Sequence, residues 1–130
     1  MFSWLEHVGE VELAIDAPTA EGVFADALSA LHELIGEGEH GARVTRGVTA
    51  SAPDPAALLA DWLSELVFLA ETDGFVADRI DSLDLRRDGL RATVSGHLAR
   101  PPHLVKAVTY HRLALEQADG AWRATVVLDV

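Results

Sequence analysis

The sequence contains no cysteine among its 130 residues. This absence excludes disulfide bonds, zinc sites built on thiolates and a cysteine nucleophile. There is no run of about 18 apolar residues, so no membrane-spanning helix is expected. The opening residues, MFSWLEHVGE, lack the basic start and apolar core of a signal peptide. Together these absences predict a cytoplasmic protein that does not act at a membrane.

Basic residues are scarce, with 10 Lys and Arg against 21 Asp and Glu, a net charge of −11. Binding to a phosphate backbone depends on neutralising phosphates with basic side chains, so direct nucleic-acid binding is not expected. An acidic surface suits metal cations or the basic face of a protein partner. The length and the 49% hydrophobic content predict one soluble globular domain over residues 1–130.

Several catalytic signatures are also missing. The chain has no glycine-rich phosphate loop, no His-Glu-x-x-His and no Gly-x-Ser-x-Gly nucleophile elbow. Its six histidines show no metal-ligand spacing. We interpret His32 and His40 as surface residues near a helix end, His97 as part of the polar face of a strand, and His103 as a loop residue. None of these four is assigned a function.

Two amphipathic helices stand out in the first half of the chain. The first is predicted to begin after Thr19 as its N-cap and to stop at Gly36 or Gly38. The second begins after Asp54, with proline at its first position, and ends at Gly74. Each carries an apolar stripe at helical spacing, which predicts that each helix packs against a sheet.

The remaining segments read as strands. Residues 10–16, EVELAID, alternate apolar and acidic side chains, and residues 42–51 form a second strand. From residue 75 onward four strands follow in antiparallel hairpin order, with turns at 86–89 and 118–120. About six strands and two helices predict an α+β fold: two layers, in which a mainly antiparallel sheet is covered on one face by the helices.

Acidic groups near the two ends of the chain are candidate metal ligands. Glu10 lies on the polar face of its strand, and Asp129 points away from the apolar set of the final strand. The α-carboxylate of Val130 follows directly. Gathered carboxylate oxygens are what a hard cation such as Ca²⁺ or Mg²⁺ requires. Spacing alone favours the alternative in which Glu10 and Asp129 are separate solvated charges.

The stretch KAVTYH, residues 106–111, places three polar or reactive side chains in a predicted strand. Lys106 and His111 are five positions apart, so in a regular strand they face opposite sides. Only a β-bulge or a late strand start would bring them together, and a catalytic Lys–His pair is therefore not favoured. Tyr110 is interpreted as a half-buried strand aromatic with its hydroxyl at the rim.

Four segments, in this order, resemble the archease family over nearly the whole chain. They are EHVGEVEL near the start, LLADWLSELVFLAETDGF in the second helix, VKAVTYHRLALE, and a terminal W…VVLDV. The resemblance implies a small α+β protein that binds a divalent metal. It also implies a partner, the GTP-dependent tRNA-splicing RNA ligase. The archease is understood to promote guanylylation and multiple turnover of that ligase without a reaction of its own.

The resemblance also implies site residues. Asp129 and Val130, through its backbone carboxylate, match the family's metal site. Lys106 matches the functional lysine of the family, and His111 matches with a weaker claim to a role in activating the partner. The family's first motif usually reads His-Thr-Ala-Asp, whereas this chain has Glu10 in place of the aspartate. The longer side chain favours Ca²⁺ over Mg²⁺ or Mn²⁺, because Ca²⁺ tolerates irregular geometry.

Two other functions remain open from the sequence. The first is a metal-dependent hydrolase with Glu10 and Asp129 as ligands and His111 as general base, which requires these residues to converge in a concave pocket. The second is a metal-free, chaperone-like module that binds basic partners through its acidic surface.

Overall fold

A computed structural model describes residues 1–36, 40–99 and 105–130. The described part contains two helices and seven strands. In chain order they are β1 (Phe2–His7), β2 (Glu10–Ala17), α1 (Ala20–Ile35), β3 (His40–Ser51), α2 (Pro55–Asp73), β4 (Phe75–Leu85), β5 (Gly89–Ala99), β6 (Ala107–Ala118) and β7 (Ala121–Asp129). The prediction of an α+β fold is confirmed.

The helix ends follow the capping residues of the sequence. The Thr19 side chain accepts a hydrogen bond at 3.0 Å from the backbone amide three residues on, and Asp54 does the same at 2.9 Å. α1 ends at Gly36, and α2 ends at Gly74 in the left-handed region with φ 65°. Within the described ranges, no helix combines the length and apolar character that a bilayer span requires.

The strands form two sheets, where the sequence analysis expected one. β1-β2-β7-β6 is a four-stranded sheet and β3-β5-β4 is a three-stranded sheet, and every neighbouring pair is antiparallel. β5 already has a partner on each side, so β6 pairs with β7 alone. The prolines at 101 and 102, which have no amide hydrogen for a ladder, separate β5 from β6 in sequence.

β1 was not predicted from the sequence. It pairs with β2 only and is an edge strand of the four-stranded sheet. Phe2 and Trp4 are half-buried, but Leu5, on the opposite face, is 55% exposed. An exposed leucine breaks the alternation of apolar and polar residues from which strands are predicted. The signal for this strand was therefore weak.

The hydrophobic core is shared by both sheets and both helices. α1 packs on β2 and β4, and α2 packs on β3 and β6, so each helix contacts both sheets. Trp62 of α2 is fully buried, and its indole N–H donates to the carbonyl of Phe24 in α1 at 3.0 Å. This contact satisfies the one polar group of the largest core side chain. Polar groups such as Glu10 and Asp129 lie outside this core, at one end of the four-stranded sheet.

Candidate functional site

The strand pairing of the four-stranded sheet gathers most of the predicted site at one end. Glu10 of β2 lies directly opposite Asp129 of β7. The amide of Val130 donates to the carbonyl of Gly9 at 3.1 Å, and the amide of Lys106 donates to the carbonyl of Asp129 at 2.8 Å. We call the group formed by Glu10, Asp129 and Val130 the carboxylate end. Lys106 adjoins it through the backbone.

Side-chain direction follows from the alternation along β2. Val11 and Leu13 are buried in the core, so Glu10 lies on the opposite face of the sheet. Directly opposed residues of antiparallel strands project to the same face, which places Asp129 beside Glu10 there. Glu10 has 29% of its side chain exposed, and Lys106 is an exposed residue. The carboxylate end is thus open to solvent and to a partner.

The structure overturns the premise about strand parity in KAVTYH. β6 pairs Thr109 with Val127, but the next pair joins Ala114 to Thr125. Residues 110–113 of β6 therefore lie opposite the single residue Val126 of β7, a bulge with three extra residues. His111 lies inside this bulge and is exposed. Because β6 is irregular between Lys106 and His111, the number of residues between them no longer predicts that their side chains face opposite sides of the sheet.

Tyr110 also differs from its interpretation. It lies in the same bulge and is 65% exposed, where a half-buried strand aromatic was expected. The bulge removes the residue from the regular hydrogen-bonded ladder, so its ring does not pack against a side chain of the neighbouring strand as in a regular sheet. Tyr110 therefore presents an exposed aromatic surface and contributes little to the core.

Arg112 is a residue of this region that sequence reasoning missed. Its φ of 55° is unusual for a residue with a side chain and occurs within the bulge of β6. Its guanidinium Nε donates to Glu12 at 2.8 Å, and another nitrogen lies 3.6 Å from Glu10. Since β7 lies between β6 and β2, the side chain crosses over β7, where Val127 is fully buried on that face. The sequence gives no signal for this contact, because Arg112 and Glu12 are 100 positions apart and the bulge that brings them together is visible only in the structure.

A second group of candidate ligands lies on the other sheet. One ligand atom from each of His32, Asp78 and His97 lies within 4.8 Å of the others, and we call these three residues the histidine cluster. From the sequence, His97 was expected on a polar face and His32 on the surface, but His97 is 5% exposed and His32 is half-buried. His40 is exposed as predicted and stacks on His97 at 3.7 Å between ring centroids. His103 lies outside the described residues.

Electrostatic effects on pKa values concentrate near this cluster. Arg43 donates to both carboxylate oxygens of Asp78, at 2.8 and 2.9 Å. These hydrogen bonds hold the pKa of Asp78 below its usual value and raise the pKa of Arg43. Burial, with a smaller contribution from the positive charge of His40, lowers the pKa of His97. Asp78 is therefore held as a carboxylate and His97 is favoured as a neutral imidazole.

The hydrolase alternative requires a pocket beside Glu10, and three surface cavities of the described chain bear on it. They have volumes of about 410, 350 and 340 Å³. Neither Glu10, Asp129 nor His111 lines any of the three. The largest lies near the starts of both helices, with Phe24 and Trp122 in its wall. These cavities offer the hydrolase alternative no support.

Comparison with known proteins links the chain to one family. Residues 2–130 match the Archease protein family (MTH1598/TM1083). A protein archease of Methanosarcina mazei is 34% identical over 139 aligned positions, which cover 99% of this chain and 95% of the relative. The resemblance inferred from the sequence is confirmed.

Two solved structures share the fold. The solution structure of Methanobacterium thermoautotrophicum protein 1598 superposes with a TM-score of 0.68 at 27% identity, covering 99% of this chain and 98% of the other. The crystal structure of a Thermotoga maritima protein, described as an archease and possible chaperone, gives a TM-score of 0.70 at 20% identity. That match covers 100% of this chain and 98% of the other, and its low identity supports the fold alone.

Proposed function

The chain belongs to the archease family, and from this premise we propose that it is a protein cofactor of a GTP-dependent tRNA-splicing RNA ligase. In this proposal the protein promotes guanylylation and multiple turnover of the ligase and catalyses no reaction itself. The observation that carries the proposal is the convergence of Glu10, Asp129, Val130 and Lys106 at one end of the four-stranded sheet. Glu10, Lys106 and the last two residues are far apart in sequence; strand pairing joins Glu10 to Asp129, and a backbone hydrogen bond joins Lys106 to Asp129.

The carboxylate end fits a divalent cation by the chemistry of its donors. Glu10, Asp129 and the carboxyl group of Val130 would supply oxygen ligands, which Ca²⁺ and Mg²⁺ prefer. Glu10 shares its carboxylate with Arg112, 3.6 Å away, so its reach to an ion is constrained from one side. Ca²⁺, whose coordination is the more flexible, suits such a set better than Mg²⁺ or Mn²⁺. Bound there, the cation would supply charge that can bridge phosphate oxygens.

Lys106 is the proposed contact with the ligase. It is the only lysine in the sequence, and within the described part of the chain it forms no ion pair. A lysine acts toward phosphate as a point charge on a flexible stem. We therefore assign Lys106 to orienting phosphate groups at the active site of the ligase. His111 and Tyr110, exposed in the bulge of β6, would belong to the same contact surface.

The test is a guanylylation and ligation assay with the ligase from the same organism. Lys106→Ala should fold normally and stimulate the ligase by less than ~10% of the wild-type amount, because the loss of a charge-assisted phosphate contact costs about 1.5–3 kcal/mol. Lys106→Arg should retain part of the stimulation. Arg123→Ala is the matched control, since Arg123 is an exposed cation of β7 that lies opposite Asp16, away from the carboxylate end.

Two outcomes would contradict the proposal. Full stimulation by Lys106→Ala would remove Lys106 from the contact. No stimulation by the wild-type protein would remove the ligase as partner. If the wild-type protein stimulates the ligase equally after chelation of divalent metals, the metal-free chaperone-like function is favoured.

A further inference from the structure

The histidine cluster is assembled from three separate elements of the fold. His32 lies in the last turn of α1, Asp78 lies in β4, and His97 lies in β5. α1 packs directly on β4, and β4 pairs with β5, so the three side chains meet between a helix end and the three-stranded sheet. The ligand atoms lie within 4.8 Å of one another. The proximity is a property of the tertiary structure and has no counterpart in sequence spacing.

A β-bulge directs Asp78 toward the other two residues. β4 pairs Ala77 with Gly96 but pairs Arg79 with Ser95, so Asp78 is an extra residue without a partner on β5. Bulges of this kind re-aim a side chain out of the regular alternation. The Asp78 carboxylate consequently lies beside the buried ring of His97, with Oδ2 3.7 Å from Nδ1.

Two buried imidazole nitrogens in the cluster have no hydrogen-bond partner among the described residues. They are Nε2 of His32 and Nε2 of His97. His97 is 5% exposed, so its ring has almost no access to bulk water. A buried polar atom without a partner is costly, and most such atoms in native proteins are satisfied by protein, water or an ion. The cluster therefore has unused ligand capacity where two histidines and a carboxylate meet.

We propose that His32, Asp78 and His97 form a binding site for a divalent transition-metal cation of the zinc class, separate from the carboxylate end. Two imidazoles and one carboxylate suit Zn²⁺ and its neighbours, Co²⁺ among them, whereas Ca²⁺ and Mg²⁺ prefer oxygen ligands alone. The three protein ligands leave a fourth tetrahedral position for water.

The geometry requires a small adjustment on binding. A tetrahedral ion about 2.1 Å from each ligand atom needs those atoms to be about 3.4 Å apart. Atoms that now lie within 4.8 Å of one another need to draw together by at most about 1.4 Å, a movement that side-chain rotation can supply. Oδ2 of Asp78 lies 3.7 Å from Nδ1 of His97, so the carboxylate is already beside the imidazole ring.

Two neighbouring residues support the cluster from outside. Arg43 fixes the Asp78 carboxylate with two hydrogen bonds, as outer partners of metal ligands commonly do. Each carboxylate oxygen retains a second lone pair for an ion. The ring of His40 stacks on His97 and restricts its rotation. Burial lowers the pKa of His97, and the neutral imidazole is the form that binds a metal.

The test uses the full chain without a histidine tag and titrates it with Co²⁺ alone, a spectroscopic substitute for Zn²⁺. Wild-type protein should bind one Co²⁺ with the strong visible d–d absorption of a tetrahedral site, and Zn²⁺ should displace it. His32→Ala and His97→Gln should each weaken binding more than ~100-fold, beyond the 10- to 100-fold typical of outer-shell changes. His7→Ala and His111→Ala, which remove exposed histidines elsewhere, should leave the affinity unchanged.

Further controls keep the test decisive. Far-UV circular dichroism shows which variants fold, and Asp78→Asn provides a ligand change of nearly equal shape if His97→Gln does not fold. Asp129→Asn should leave Co²⁺ binding intact, which separates this site from the carboxylate end. The proposal is overturned if wild-type protein develops no tetrahedral spectrum, or if His7→Ala or His111→Ala reduces binding as much as His32→Ala does.

Discussion

The carboxylate end and the histidine cluster are two polar groupings on two different sheets, and they differ in almost every physical respect. The first is open to solvent, is built from carboxylate oxygens, and is held by strand pairing alone. The second encloses a histidine that is 5% exposed, offers imidazole nitrogens, and needs a helix and a bulge to form. Oxygen-rich open sites suit hard cations, and nitrogen-rich buried sites suit the zinc class. One small fold thus presents two groups of different donor atoms that share no residue.

The largest expected effect concerns the space around the backbone in each region, at Gly96 near the histidine cluster and at Gly9 near the carboxylate end. A Cβ on Gly96, next to His97, would lie 1.9 Å from the backbone oxygen of Val76, whereas a Cβ on Gly9 would meet nothing within 4 Å. We expect Gly96→Ala to lower the free energy of unfolding by more than about 3 kcal/mol, because backbone must move. Gly9→Ala should cost about 1–2 kcal/mol, since only its φ of 76° resists a side chain.

Urea unfolding of both variants measures the difference. A Gly96→Ala protein that unfolds within about 1 kcal/mol of the wild type would show that the sheet around the histidine cluster adapts easily. In that case the carboxylate end and the histidine cluster would not differ in rigidity. Equal losses in both variants would point to the same conclusion.

An intermediate effect concerns Arg112 at the carboxylate end. Its guanidinium lies 3.6 Å from Glu10, and at this exposed position the two charges interact with about 1 kcal/mol. A cation bound by Glu10 competes with that interaction. We therefore expect Arg112→Gln to raise Ca²⁺ affinity by about 5-fold, as measured by calorimetric titration, and to leave Co²⁺ binding at the histidine cluster unchanged.

Arg123→Gln serves as the control for the loss of one positive charge, because Arg123 pairs with Asp16 at 3.9 Å and touches neither site. A decrease in Ca²⁺ affinity in Arg112→Gln would show that Arg112 positions Glu10 more than it competes with the ion. Unchanged affinity would indicate that Glu10 is not a ligand.

The smallest expected effect is a pH dependence of stability in metal-free protein. Burial, His40, His32 and Arg43 lower the pKa of His97 in the folded state, and Asp78 partly opposes them. The unfolded chain therefore takes up this proton first as the pH falls through about 6.5. Stability present above that pH is lost as the pH falls toward the lower folded-state pKa.

Urea unfolding across a series of pH values, with chelator present, checks this dependence. His97→Gln should lose less stability than the wild type as the pH falls below about 6.5. Asp129→Asn leaves the histidine cluster intact and should keep the wild-type slope in the same range. Parallel curves for the wild type and His97→Gln would contradict the assignment of the slope to His97.

Much of the fold was predictable because its signals are local. Thr19 and Asp54 cap the helices through their own side chains, three residues from the amides they bind. The alternation of Val11 and Leu13 with acidic residues identified β2. The convergence of Glu10 and Asp129 was only one of two readings from the sequence, and strand pairing decided in favour of contact. Their role in metal binding stays a prediction.

Two of the failures have a common cause, a β-bulge in the strand concerned. The bulge in β6 moved Tyr110 out of the half-buried position expected for it in a regular strand. The bulge in β4 turned Asp78 toward His97. A bulge is fixed by the packing of neighbouring strands and leaves little trace in composition, so residue counting fails beyond it. β1 escaped prediction because an edge strand has weak alternation.

The sequence by itself determined the helix boundaries, the pairing of β4 with β5 and of β6 with β7, and the family. These features depend on residues that are close together in sequence, or on short sequence motifs. Only the tertiary structure decided that the strands divide into two sheets, that Arg112 crosses β7, and that His32, Asp78 and His97 meet. Such contacts join elements that are distant in sequence, and packing of α1 on β4 brings them together.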